Sequence, residues 1–536
     1  MNYDAGALKS CLYLLQIKHR AHGDCSADAA KPAQQDCIPC ALPGSEQLLF
    51  QKSGQLMTVK EKIREAKNKT NTSRFVYRLL VFAAVFVSAL LYAARANVTE
   101  LYFDSKYYWT LSNVIYENGL NPIYMLRFPE SVRGYFFPVL IGYFRLFFDG
   151  ITGWRVLASL SMALCFSLSL PCAVKGRGIR SWKESIRTLL AYAVYMWIWG
   201  DLMQYPLSDF IACFLLISAI ALLRTVHSRQ KTGLKILTGL IAGALLYAAY
   251  NTRTTYLYSI IVISAAFILI NRKRARTILI TGLSVLAGMA ILSLPQCYIN
   301  DHNTGSISPL VNYDLADNEV FKGLTTARYE TYVGDSEIYP RSALLFDDLT
   351  GWQIIQRENI SGENFKLSQI FDLFLKYPAD MTGIYFRHLL SLLTPVYRQV
   401  YVRDIHDFSV LTMLISIILW LTAGFNIFIR IRKQGLRLNA LWILAVCLPG
   451  LLQIFDEPEL RFFLPAYLLC YYEVFAGIDW KRYFRILKAN WPQALILSLA
   501  IIVFWISQTG GILAAKRNGA LLFSDQSPCM LCLFSK

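Results

Sequence analysis

Gly134-Tyr-Phe-Phe-Pro-Val-Leu-Ile-Gly-Tyr-Phe-Arg-Leu-Phe-Phe148 is the stretch whose reading decides the topology of this chain. If it crosses a membrane, every later segment is inverted. If it lies in the membrane interface, none is. It is short for a span, which needs about 20 apolar residues, and it carries Pro138 and Arg145. An interfacial helix fits these features better.

The surrounding composition makes the membrane the right frame. Of 536 residues, 55% are hydrophobic, and the mean hydropathy of +0.39 is too high for a soluble domain. Apolar segments near 79–96, 154–174, 187–200, 209–223, 236–250, 256–270, 277–295, 408–429, 438–455, 462–478 and 492–507 predict an all-α polytopic membrane protein of about eleven transmembrane helices. The net charge of +17 comes from Lys and Arg clusters between those segments, not from one basic face, so it reads as a topology signal and not as a nucleic-acid surface.

With the amino terminus in the cytoplasm and 134–148 not crossing, the basic clusters around Lys175–Arg187, Arg224–Lys235, Arg272–Arg276, Arg430–Arg437 and Lys481–Lys488 all fall inside, with Lys60–Arg78. If 134–148 crosses, all five turn outward. The non-crossing reading therefore places 97–153, Gly200–Ser208 and 296–407 outside. The last of these has early turn signals and a helical pattern over 365–393, which predicts a small extracytoplasmic subdomain.

The expected organisation is a disordered extension over 1–56, an N-terminal transmembrane module over 57–295, the external segment 296–407, C-terminal membrane helices over 408–507 and an external tail over 508–536. Cys11, Cys25, Cys37 and Cys40, with His19 and His22, offer zinc donors, but their spacing fits no standard finger and the composition reads as disorder. Cys529 and Cys532 are either a bridge or bystanders. His302, His388 and His406 are the external histidines, and the sequons at Asn97 and Asn359 also fall outside.

Ionisable groups at the outer ends of apolar segments are costly and need a reason. Asp104 heads an amphipathic pattern directly after the first span, so it is either a helix cap or a general base for an acceptor hydroxyl. Tyr107 and Tyr108 beside it read as an interfacial belt or as walls of a sugar site. Asp201 and Asp209 flank the next outer turn and suit capping, hydroxyl binding or a divalent cation. Arg155, Arg253 and Arg461 oppose the positive-inside bias; Arg461 is either the ion-pair partner of Glu457 or Glu459, or a phosphate ligand. No phosphate-binding P-loop, serine-hydrolase elbow or zinc-protease motif occurs.

The order of these elements resembles the GT-C superfamily of integral membrane glycosyltransferases, in particular protein O-mannosyltransferases and bacterial lipid A aminoarabinose transferases. The resemblance rests on Phe103-Asp104-Ser105 after span one and on two juxtamembrane helices in the first external loop, the second near Tyr135-Phe-Phe-Pro138. Gly153-Trp-Arg155, Asp209 and Glu459-Leu-Arg-Phe-Phe-Leu-Pro465 complete it, over roughly 75–480. Two departures stand out: Asp104-Ser105 replaces the usual paired acid, and Arg133-Gly-Tyr-Phe-Phe-Pro138 replaces a His/Lys-Pro-Pro motif. Substrate identity therefore does not carry over.

The resemblance implies a polyprenyl-phosphate-linked sugar donor, a glycan, lipid or protein acceptor outside the cytoplasm, and transfer with inversion in a bacterial plasma membrane. It implies Asp104 as base, Asp201, Asp209, Tyr107, Tyr108 and Arg133 as substrate-binding residues, and Arg155, Arg253, Arg461 and Glu459 around the lipid phosphate. No cofactor is fixed; a divalent cation stays open. Membrane lipids are the other partner, and no nucleic acid is expected. A polysaccharide polymerase or ligase, and a non-enzymatic lipid or polysaccharide transporter or flippase, are the alternatives; a transporter should show internal repeats and mid-membrane ionisable groups, which the sequence lacks.

Single cysteines placed at Lys183, Arg229 and Arg274 in a cysteine-free background should resist impermeant thiol reagents in intact cells. Ready labelling of all three would overturn this topology.

Overall fold

A computed structural model describes residues 72–95, 98, 100–119, 128–129, 133–226, 230–311, 316–334, 342–362, 365–404, 407–434, 440–489 and 491–522. The cysteine and histidine cluster of 1–56, the Lys60 region, Asn97, Arg229, His406 and the Cys529/Cys532 pair lie outside the described residues.

Among the described residues, seven helices are long and apolar enough to cross a membrane: Thr72–Arg95, Ile151–Lys175, Ser208–Thr225, Thr232–Thr252, Ala275–Thr304, Val410–Ile429 and Trp491–Leu513. The protein is an all-α, multi-pass membrane protein. The apolar segments expected at 187–200, 256–270, 438–455 and 462–478 fall on helices too, Trp182–Trp199, Tyr256–Asn271, Ala440–Leu452 and Leu464–Tyr472, which are shorter or less apolar. The Ala275–Thr304 helix also runs past the expected limit at 295. Its polar end is satisfied internally: Asn251 Nδ2 donates to Gln296 Oε1 (2.8 Å), Gln296 Nε2 to Asn300 Oδ1 (2.9 Å), and Asn300 Nδ2 to the Ser308 and Leu310 carbonyls (2.7 Å each).

The stretch over 134–148 contains one helix, Phe136–Phe147, of 12 residues. At about 1.5 Å per residue it reaches only about 18 Å, well short of a hydrocarbon core of about 30 Å. It packs on the Phe103–Tyr116 helix, close enough that a Cβ on Gly142 would meet the Ser112 carbonyl at 2.8 Å. Arg145 locks the pair. Its guanidinium donates to Ser112 Oγ (2.5 Å) and Asn113 Oδ1 (2.8 Å) and lies 3.8 Å from the Trp109 ring centroid. Arg145 thus fastens the Phe103–Tyr116 and Phe136–Phe147 helices to each other. Their other anchor is Asn251, whose Oδ1 accepts from Phe136 N–H (2.8 Å) and whose carbonyl sits so near Gly134 that any side chain there would collide.

Residues 296–407 add a small mixed element. Strands β1 (Thr326–Tyr332), β2 (Ser342–Asp347) and β3 (Tyr401–Val402) form a sheet of order β2-β1-β3, antiparallel between β1 and β2 and parallel between β1 and β3. Helices Gln369–Lys376 and Pro378–Leu393 occupy the stretch read as helical over 365–393, with Pro378 opening the second. Strand β1 hides an ion pair: Arg328 is 2% exposed, donates to Glu330 Oε1 (2.5 Å), and satisfies the Thr394 carbonyl at the end of the second helix (2.9 Å). A further bridge joins Tyr329 to Glu459, so the sheet reaches the turn before the Leu464–Tyr472 helix.

Among the described residues the most extensive helix contact joins Thr232–Thr252 to Ala275–Thr304, through small residues. A Cβ on Gly243 would lie 2.0 Å from the Val285 carbonyl oxygen, and one on Gly288 2.1 Å from that of Leu240. In lipid there is little hydrophobic drive between helices, so association depends on such close approach. Gly243→Val should lower the melting temperature in detergent, by the equivalent of about 1–3 kcal/mol for overpacking. Gly282→Val, with open space around it, should leave it near wild type. Equal effects would contradict the packing described.

Candidate functional site

The Phe103–Tyr116 helix begins at a turn that carries Asp104. Its carboxylate does not serve as the helix cap. Ser105 Oγ supplies the local bonds instead, accepting from Tyr102 N–H (3.0 Å) and donating to the Tyr102 carbonyl (2.6 Å). Asp104 Oδ2 accepts from Arg461 Nη2 at 2.6 Å, and Oδ1 lies 3.5 Å from Arg133 Nη2. The carboxylate keeps 27% of its surface exposed. Burial pushes its carboxyl up, but Arg461 and Arg133 outweigh that and hold it below the usual carboxylate range. The carboxylate is an anion between two guanidiniums, on a side chain that is partly exposed.

Asp209, in the first turn of Ser208–Thr225, is 2% exposed and pairs with Arg253, which follows the Thr232–Thr252 helix. Its Oδ2 lies 3.8 Å from Arg461 Nη1 and accepts no hydrogen bond. Glu459 and Arg461 sit two residues apart on an irregular turn before the Leu464–Tyr472 helix, and they pair through Arg461 Nε and, at 3.2 Å, Arg461 Nη2. Arg461 is thus met by three carboxylates, from Asp104, Asp209 and Glu459, with only 12% of its side chain exposed. Burial works against its charge, but the three carboxylates raise its pKa well above the ordinary value. Burial pushes the Glu459 carboxyl up to about 7 against the pull of Arg461. Phe462 lies between two cations, with Arg253 at 3.8 Å and Arg461 at 5.2 Å from its ring centroid.

Asp104, Asp209, Glu459, Arg133, Arg253 and Arg461 therefore converge into one hub. Of the two partners expected for Arg461, Glu459 is taken; Glu457 instead pairs with Lys322 at 3.3 Å. Tyr108 lies beside the hub: its ring centroid is 6.0 Å from the Arg133 guanidinium, and its hydroxyl accepts from Ser208 Oγ at 3.4 Å. Tyr107 is partly exposed and packs on Tyr108. Arg155 is half-buried on the Ile151–Lys175 helix. Asp201 serves the backbone instead. Its Oδ2 accepts the Val400 N–H at 2.8 Å, and burial pushes its carboxyl up to about 6. Among the described residues no group of three or more His, Cys, Asp or Glu side chains stands at metal-binding geometry.

Two neighbours of the hub carry no sequence signal of their own. Tyr401 hydrogen-bonds the turn that bears Asp104. A cleft beside the hub is lined by Trp199, Glu330, Arg398, Gln399, Glu459 and Arg461. Comparison of the chain with protein-family models, curated proteins and solved structures gave no match.

Arg461→Ala should destabilise the protein by roughly 3–5 kcal/mol, the usual consequence of removing one partner from buried ion pairs. Glu459, pushed up to about 7 by burial, loses with Arg461 the charge that pulls its carboxyl pKa down, so its folded-state value rises further above the unfolded one. Stability of the variant is then retained at low pH and lost as pH rises through that raised value. Melting curves should therefore show a wider gap to wild type at about pH 8 than at about pH 5; a gap independent of pH would show that the carboxylates do not depend on Arg461.

Proposed function

We propose that this protein is a membrane glycosyltransferase of GT-C type that moves a sugar from a polyprenyl-phosphate-linked donor to an acceptor hydroxyl, with inversion. The observation that carries the reading is Asp104: a carboxylate kept ionised by two guanidiniums, open to one side, at the end of apolar helices where a lipid-linked head group would sit. The proposal includes eleven spans, a cytoplasmic amino terminus and the hub on the outer face, as the basic loops favour.

The step is a single displacement. The acceptor oxygen attacks the anomeric carbon while its proton passes to the open oxygen of Asp104. The bond from that carbon to the phosphate oxygen breaks, and its electron pair leaves with the polyprenyl phosphate. General-base assistance of this kind contributes about 10²–10⁴-fold. Negative charge grows on the leaving phosphate, and Arg133, Arg253 and Arg461 are the donors near enough to meet it. The hub balances three guanidiniums against three carboxylates, so added phosphate charge favours neutralising one carboxylate. Glu459, with its carboxyl pushed up to about 7, is the group most ready to take a proton. Tyr107 and Tyr108 offer aromatic faces for the sugar, and Arg155 is a further candidate for the phosphate.

Asp104→Asn is nearly isosteric and should leave a folded protein while lowering transfer by at least about 100-fold. The assay is release of polyprenyl phosphate from a radiolabelled lipid-linked sugar by protein in proteoliposomes. Near-normal turnover of the variant would remove Asp104 from the mechanism.

A further inference from the structure

The residue before Asp104 has an unusual backbone. Phe103 adopts φ +39°, a left-handed conformation that a bulky side chain rarely enters, and its ring is partly exposed. Such a conformation persists only where its surroundings hold it. Beside the turn's own bonds, from Ser105 Oγ and from the Ser105 and Lys106 N–H groups to the Tyr102 carbonyl, those surroundings include a side chain from nearly 300 positions further along the sequence.

Tyr401, on β3, is 3% exposed. Its hydroxyl donates to the Tyr102 carbonyl at 2.9 Å and accepts from the Ser105 N–H at 3.3 Å. These two groups bracket Phe103 and Asp104. The hydroxyl can fill both roles because burial pushes its pKa up and keeps it protonated. The Tyr401 ring is fixed in turn, edge-on to Tyr205 with centroids 4.7 Å apart and edge-on to Tyr102 at 5.6 Å. Its backbone is fixed as well. The preceding Val400 N–H is held by buried Asp201, and Tyr401 itself pairs with Thr331 of β1.

We infer that Tyr401 is a positioning residue: it clamps the strained turn at Phe103 and so aims the Asp104 carboxylate into the hub. It touches no reacting atom. Asp201 acts one step further back, by holding Val400 and with it Tyr401. The external segment is thereby a working part of the site, since it supplies the group that fixes the base. The inference rests on the proposed transfer reaction for its effect on turnover, but not for its effect on the turn.

Tyr401→Phe removes the hydroxyl and keeps the ring. In proteoliposomes with the radiolabelled lipid-linked sugar, it should lower kcat by about 10- to 100-fold, the scale of a small misplacement of a reacting group, with donor affinity close to wild type. Amide exchange over residues 102–106 should quicken. Phe103→Gly, which takes positive φ without strain, should recover much of the lost turnover when combined with Tyr401→Phe, a rescue that general destabilisation would not give. Wild-type turnover in Tyr401→Phe, or a double variant no better than the single one, would overturn the clamp. If wild-type protein transfers no sugar, the proposed function fails by itself, and exchange over 102–106 still decides the clamp: unchanged exchange in Tyr401→Phe overturns it, faster exchange supports it.

Discussion

The guanidinium of Arg461 is the constraint on which the site depends. A buried cation has to be met by anions, and each of these carboxylates, desolvated, has to be met by a cation. Asp104, Asp209 and Glu459 come from three separate parts of the chain, and Arg461 draws them together. Buried ion pairs of this kind add little net stability compared with apolar packing. What they fix here is geometry, because the start of the Phe103–Tyr116 helix, the start of the Ser208–Thr225 helix and the turn before Leu464–Tyr472 share one point of contact.

Around that point the protein uses polar groups at helix ends and small residues within the membrane. Arg145 joins the two juxtamembrane helices, and Asn251 ties the second to the Thr232–Thr252 and Ala275–Thr304 pair. Gly243 and Gly288 allow that pair to close. From the sheet, β1 bridges to Glu459 while β3 delivers Tyr401 to the Asp104 turn. The hub is gripped by the apolar helices and by the sheet, which keeps Asp104 in one orientation.

Much of this was legible in the residues. Asp104, Asp209, Arg253 and Arg461 stand out because charge beside an apolar span is expensive, and that cost does not depend on knowing the fold. The shortness of the 134–148 stretch, with its arginine, was enough to indicate a short helix, and the structure holds one of 12 residues there. Pairing was not legible. Glu457 and Glu459 both lie within four residues of Arg461, and the bridge from Tyr329 to Glu459 and the contact of Lys322 with Glu457 separate them. Asp201 looked like a third acid of the site because it flanks the same turn as Asp209, yet its carboxylate is spent on a backbone N–H. Strand β1, Thr-Ala-Arg-Tyr-Glu-Thr-Tyr, is buried along nearly its whole length, so it lacks the polar and apolar alternation that marks a half-exposed strand. Tyr401 has no local signature, since its role is set by partners far away in sequence.

The central claim is chemical: the hub breaks the bond between a sugar and a lipid phosphate instead of carrying the intact lipid-linked sugar across the bilayer. Purified protein in proteoliposomes, given an anomerically defined, radiolabelled polyprenyl-phosphate sugar and a pool of hydroxyl acceptors, tests it in one measurement. The account predicts release of polyprenyl phosphate that depends on acceptor, with the sugar joined to it in the opposite anomeric configuration. Movement of intact donor between leaflets with no release, or a product that retains the donor's configuration, would contradict it.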